Sequence, residues 1–98
     1  MPAYIIAIRR HPVRDADAMA EYQRRTRAMA GDFKLIPRVV YGAVEPLEGA
    51  APDGVVVIEF PTVEDARAWY EDGDYQAAIP YRRRAADYDM FIVEGLEQ

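Results

Sequence analysis

The sequence predicts an α+β fold, a four-stranded antiparallel sheet with helices on one face. Two observations carry this. Four short runs, "AYIIAIRR", "KLIPRVVYGAV", "VVVIEF" and "MFIVEGL", have the length and β-branched composition of strands. Between the first and second runs, and between the third and fourth, apolar residues recur at intervals of three and four, the spacing of a helix with one buried stripe. At 98 residues the chain makes a single domain, residues 1–98, with a real core and no room for a second.

The first strand runs from Ala3 to Arg10, and His11 and Pro12 end it. In "DADAMAEYQRRTRAMAGDF" the positions Asp15, Met19, Tyr22, Thr26, Met29 and Phe33 share a stripe. Asp15 or Asp17 can accept from the free amides at the helix start, and Gly31 is expected to take the left-handed turn that ends it. The second strand spans Lys34 to Val44. Pro37 within it has no amide to donate, which predicts a sheet edge or a bulge. "EPLEGAAPDG" is a polar turn, and the third strand follows from Val55 to Phe60. Helical spacing returns through Val63, Ala66, Trp69 and Tyr70. Thr62 with Asp65 resembles a capping box there, and Glu64 and Asp65 complement the helix dipole. Gly73 is expected to supply a left-handed stop. A shorter helix starts at about Asp74 and runs into the arginines, shortened or kinked by Pro80. Met90 to Leu96 closes the chain as the fourth strand. This β-α-β-β-α-β order is that of the ferredoxin-like sandwich.

The strands also predict an assembly. A sheet with one wet face alternates apolar and polar residues, yet "YIIAI", "VVVI" and "MFIV" are apolar at nearly every position. The helices cover one face and the chain has no spare element for the other. A second copy laid on that face, giving a homodimer through the sheet, is the simplest cover.

Composition bounds the function. Hydrophobic residues make up 51% and charged residues 30%, as in globular proteins. The formal net charge of −5 repels polyanions, so neither nucleic acid nor an anionic membrane is an expected partner. The start "MPAYIIAIRR" has no basic leader and no run approaches the ~20 apolar residues of a membrane span, so a cytoplasmic protein is expected. There is no cysteine for a thiolate nucleophile or a thiolate metal site. Phosphate loops, dinucleotide fingerprints, nucleophile elbows and paired metal-ligand histidines do not occur, and no cofactor or metal is expected.

Two residues suggest acid–base chemistry. His11 is the single histidine, and imidazole is the side chain that titrates near neutrality. Glu59 is the odd polar residue in "VVVIEF", on the face of Val55 and Val57, where burial tunes a carboxylate unless a cation such as Arg38 pairs with it. In this topology His11 and Glu59 stand about 20 Å apart along the strands, too far for a dyad within one subunit. Glu45, Glu48 and Asp53 share a turn but match no calcium loop. In "MPAYII", Pro2 offers a second chemistry: freed of Met1, it presents the secondary-amine base of a tautomerase.

The run "VVVIEFPTVEDARAWYEDGDYQAA", the preceding "VEPLEG" and the terminal "VEGL" resemble the family known as domain of unknown function 1330, over essentially the whole chain and most specifically from Glu59 to Gln76. The resemblance implies a dimeric α/β-barrel, an architecture shared by cofactor-independent monooxygenases, small-molecule isomerases and stress-response proteins. It implies no established activity. The arginine and two glycines expected near the end of the second strand are replaced by "VYG" at Val40 to Gly42, with Arg38 two residues earlier. Tyr75 and Arg82 follow the family pattern. They lie seven apart, on one helical face if the helix survives Pro80, and Arg82 there can clamp a carboxylate or form a salt bridge with Asp72, Asp74 or an acid of a partner subunit. The expectation is a cytoplasmic homodimer with a small-molecule cleft between helices and sheet, lined by Arg38, Tyr41, Glu59, Tyr75 and Arg82, with His11 at its rim. Such a cleft suits a cofactor-independent enzyme acting on a small carbonyl or carboxylate compound, or a ligand-binding or stress-response module without turnover.

Overall fold

In a computed structural model describing residues 1–97, seven elements follow one another as β1 (Ala3–Arg9), α1 (Ala16–Arg27), β2 (Ile36–Val40), β3 (Gly54–Phe60), α2 (Val63–Glu71), α3 (Gly73–Ala85) and β4 (Tyr88–Glu94). The strands form one antiparallel sheet in the order β2-β3-β1-β4. This is the predicted ferredoxin-like topology. β2 takes an edge, as Pro37 requires, and its register shifts between Pro37 and Val39, so the edge also carries a bulge. No helix among the described residues is long and apolar enough to cross a membrane.

Register decides which side chains meet the helices. Ile5 pairs with Ile58 on one side and Ile92 on the other, so these three share a face. Ile5 is buried there with Phe60, Ala66, Trp69, Tyr75 and Ile79. The alternate residues Tyr4, Ile6 and Ile8, with Val55 and Val57, lie on the opposite face beside the exposed Ile36, Val39, Phe91 and Val93. Among the described residues no element covers that second face.

The helices are not equivalent. α2 lies on β1, β3 and β4, whereas α1 packs chiefly on α3. This leaves space between α1 and the β2–β3 half of the sheet.

Local chemistry sets the helix ends, with two departures from expectation. Asp15 caps α1 by accepting from the Ala18 amide at 3.0 Å. The helix stops at Arg27, before Gly31, and Gly31 has no positive φ. A Cβ at Gly31 would collide with the Phe33 ring. The glycine therefore serves space: it lets Phe33 turn back so that Phe33 and Met29 still pack on the core. Gly73 likewise is no stop. Asp72, with φ −58 and ψ 139, breaks the chain between α2 and α3 and accepts from the Asp74 amide at 2.9 Å, and Gly73 opens α3. α3 then continues through Pro80, at the cost of one backbone hydrogen bond.

Thr62 caps α2, accepting from the Asp65 amide at 3.1 Å and donating its hydroxyl to the Asp65 carboxylate at 3.1 Å. Thr62→Ala removes both contacts, and a denaturant titration is expected to register a loss of about 1 kcal/mol.

Candidate functional site

Between α1 and the sheet lies a cavity of about 360 Å³, within the range of small-molecule sites. β1 contributes Ile5 and Ala7, β3 contributes Val56 and Ile58, and Trp69 and Met90 complete an apolar floor. Its polar groups come from Tyr22, Gln23, Thr26 and Arg27 on α1, from Tyr41 just after β2, and from Arg82 and Tyr88. No aspartate, glutamate or histidine is among the lining residues.

Arg82 dominates the electrostatics. It is 7% exposed, and its Nε is buried without a hydrogen-bond partner. No carboxylate among the described residues forms an ion pair with it. Its compensation comes from neutral aromatic neighbours, the Tyr75 phenol and the Tyr88 ring, whose centroid lies 5.8 Å from the guanidinium carbon. Arg82 reaches this position because α3 runs unbroken through Pro80, holding Tyr75 and Arg82 two turns apart on its buried side. Burying a cation without a partner is costly, so this arrangement calls for a compensating anion.

Four phenols stand in two pairs nearby. The Tyr22 and Tyr75 hydroxyls are 2.9 Å apart, and Tyr75 donates to Met90 Sδ at 3.6 Å. The Tyr75 ring lies 4.1 Å, centroid to centroid, from Trp69. The Tyr41 and Tyr88 hydroxyls are 2.6 Å apart, and Arg9 Nη1 donates to Tyr88 at 3.3 Å. Arg9 in turn is held by Asp53, Nε to Oδ2 at 2.7 Å.

Burial pushes the Tyr22, Tyr41 and Tyr75 phenols above their ordinary range, against a smaller downward pull from Arg82 on Tyr22 and Tyr75 and from Arg9 on Tyr41. At neutral pH these groups are therefore hydrogen-bond donors and not bases. The same burial predicts alkaline behaviour. The unfolded chain releases phenol protons at about pH 10, while the folded chain retains them, so stability is full below that pH and declines above it. The slope is up to about 1.4 kcal/mol per pH unit for each such tyrosine. A spectrophotometric titration is expected to show part of the phenolate absorbance appearing only together with loss of far-ultraviolet dichroism.

The residues singled out by sequence divide between two faces. Arg82 and Tyr41 line the cavity, and Tyr75 stands behind Tyr22. Arg38 and Glu59 do not join them. Glu59 pairs in register with Tyr4 and Ile36 on the uncovered face, because Ile58 and Phe60 are the β3 residues that point to the helices. Arg38 Nε donates to Glu59 Oε1 at 3.0 Å, so the carboxylate is already matched by a cation. His11 is exposed beyond the opposite end of β1 from Tyr4, the partner of Glu59, and does not border the cavity. Pro2 also lies outside it, its carbonyl accepting from the Gly95 amide at 2.7 Å. Of the turn carboxylates, Glu45 and Glu48 are exposed and Asp53 is engaged by Arg9.

Sequence reasoning missed Tyr22 and Tyr88 as site residues. Tyr22 sits on the helix stripe like any core residue, and only its hydroxyl, turned to Tyr75, separates it from one. Tyr88 precedes the predicted start of the fourth strand. Its pairing with Arg9 across β1–β4 brings it to the cavity.

A family described as domain of unknown function (DUF1330) matches residues 2–96 of this chain. No curated protein matches it. Among solved structures, an ethyl tert-butyl ether D (EthD) family protein from Bacillus halodurans aligns at TM-score 0.64 and 16% identity, over 98% of this chain and 100% of that one. A protein of unknown function from Rhodopseudomonas palustris aligns at TM-score 0.62 and 18% identity, over 99% of this chain and 84% of that one. A dimeric ferredoxin-like protein of unknown function from Thermobifida fusca aligns at TM-score 0.62 and 18% identity, over 95% and 90% respectively. At these identities the likeness speaks to the fold.

Proposed function

Because the chain belongs to the DUF1330 family, which supplies a fold and no reaction, we propose from its own residues that it is a cytoplasmic homodimer binding a small organic anion in the cavity beneath α1. One observation carries this reading: Arg82, buried and without a carboxylate partner among the described residues, borders a cavity whose floor is apolar. A carboxylate, or the enolate form of a carbonyl compound, supplies the missing charge, and its apolar body takes the floor. Arg82 offers a planar fork suited to two parallel contacts with such an oxyanion. With Tyr75 donating to Met90 and Tyr22 to Tyr75, one hydroxyl proton of the Tyr41–Tyr88 pair is left for a ligand, and no phenol is an acceptor strong enough for a cation.

The lining favours binding over general acid–base turnover, since it contains no carboxylate or imidazole to take a proton. Catalysis at this site is therefore confined to reactions whose substrate arrives ionised, or carries its own base, and is helped by stabilisation of a developing oxyanion. Glu59 and His11 take no part in it under this reading.

Trp69 is the single tryptophan and lines the cavity, so its fluorescence reports occupancy directly. Titration with benzoate and short aliphatic carboxylates is expected to saturate, while the corresponding neutral amides bind about tenfold more weakly or worse. Equal affinity for acid and amide overturns the anion site.

A further inference from the structure

We propose that Tyr41 sets the length of ligand the cavity accepts, acting as a ring pinned across its mouth. The inference rests on the anion site above and concerns the part of the cavity that Tyr41 lines. The buried lining residues Ile5, Ala7, Trp69 and Arg82 form the closed end. The exposed ones, Arg27, Pro37 and Val40, mark the opening, and the half-buried Tyr41 follows directly on Val40.

Tyr41 adopts φ 55, a left-handed backbone that bulky aromatic residues avoid and that persists only when the surroundings hold it. Four contacts do so. Its amide donates to the Val55 carbonyl at 2.9 Å. Its ring lies so close over Gly54 that a Cβ there would stand 2.7 Å from Tyr41 Cδ1 and 3.0 Å from Cε1. The Arg9 guanidinium carbon sits 4.6 Å from the ring centroid, anchored by Asp53. The hydroxyl completes the set through Tyr88 at 2.6 Å.

A side chain fixed from its backbone to its tip does not swing aside for a long ligand. Gly54 is a positioning residue in this scheme. It lines no part of the cavity, and its missing side chain is what lets the ring lie where it does. A ligand with its oxyanion on Arg82 and a tail extending outward meets the ring, so the selected class is short, compact organic acids.

The test is a homologous series of straight-chain carboxylates, butanoate to dodecanoate, followed by Trp69 fluorescence and calorimetry. Wild-type affinity is expected to climb with chain length and then fall sharply at a cut-off. Tyr41→Gly, which suits the left-handed backbone, is expected to raise the long-to-short affinity ratio about tenfold or more. Gly54→Ala is expected to move the ratio the same way by displacing the ring, and to add nothing in the Tyr41→Gly background. If carboxylates bind but Tyr41→Gly leaves the cut-off unchanged, the pinned-ring proposal is overturned and the anion site stands. If no member of the series binds wild type or Tyr41→Gly, both readings fall. Should Gly54→Ala alone not fold, the double variant, in which the clashing ring is gone, supplies the comparison: a ratio equal to that of Tyr41→Gly supports the proposal, and a further shift overturns it.

Discussion

Replacing Arg82 with methionine is expected to weaken carboxylate binding roughly 100-fold while leaving the fold as stable as before or more so. The two effects share one cause. In the folded chain the guanidinium has been taken from water and its Nε receives no hydrogen-bond acceptor in return. Methionine fills much of the same length with an apolar chain, removes that desolvation penalty and forfeits a 5.8 Å contact with the Tyr88 ring and the weaker interactions with the neutral Tyr22 and Tyr75 phenols. Substituting buried charge with apolar side chains of similar volume stabilises other proteins by about 1–4 kcal/mol. Taking about 1 kcal/mol as the gain, the thermal midpoint rises by about 4–8 °C for a domain of this size. Binding moves the other way: loss of charge-assisted contacts worth about 3 kcal/mol weakens carboxylate affinity roughly 100-fold. Thermal unfolding and the Trp69 titration measure the two arms separately. A variant that is both weaker in binding and several kcal/mol less stable would assign Arg82 to the framework and remove the argument for a ligand.

The second large effect concerns the uncovered face. Ile6 lies near its middle, paired with Val57 and Phe91 and two residues from Tyr4 and Ile8. Light scattering of the wild-type protein is expected to return about twice the 11.1 kDa of one chain. Ile6→Asp should return a single chain while keeping the native dichroism, because in the isolated subunit this side chain is only half buried. Two-fold symmetry brings the introduced charge in twice. At about 3–5 kcal/mol for each unpaired buried carboxylate, the dimer dissociation constant rises by at least roughly 1000-fold. A wild-type mass of 11.1 kDa would leave Ile36, Val39, Phe91 and Val93 open to water and refute the sheet-face dimer. The Arg38–Glu59 pair lies on this same face and outside the cavity.

The outcome for Glu59 shows where a linear reading ends. Its parity was correct: it shares a face with Val55 and Val57, and Arg38 pairs with it as the sequence suggested. Its assignment to the cleft failed because alternation says which residues go together and never which of two apolar faces the helices choose. Asymmetry of that kind appears only when Ile5, Ile58 and Ile92 are seen against Trp69 and Ile79. Arg82 is the reverse case. Spacing from Tyr75 put it on the right side of α3, but the lack of a counter-ion is a fact about everything that surrounds it.

What the amino-acid order determined by itself is local: the seven elements to within a few residues, the cap at Thr62 and the choice of Asp15 or Asp17 for the first helix, an edge or a bulge at Pro37, and sheet faces both too apolar for water. Such features arise from neighbours three or four residues apart, or from the two-residue period of a strand, and so are written in the chain. Only the tertiary structure decided that α1 leans on α3 instead of the sheet, opening the cavity, and that four phenols from α1, α3, β4 and the end of β2 gather there near an unpaired guanidinium. Those distances join residues up to 79 positions apart, as between Arg9 and Tyr88, and they depend on register and interhelical packing that no short window of sequence contains.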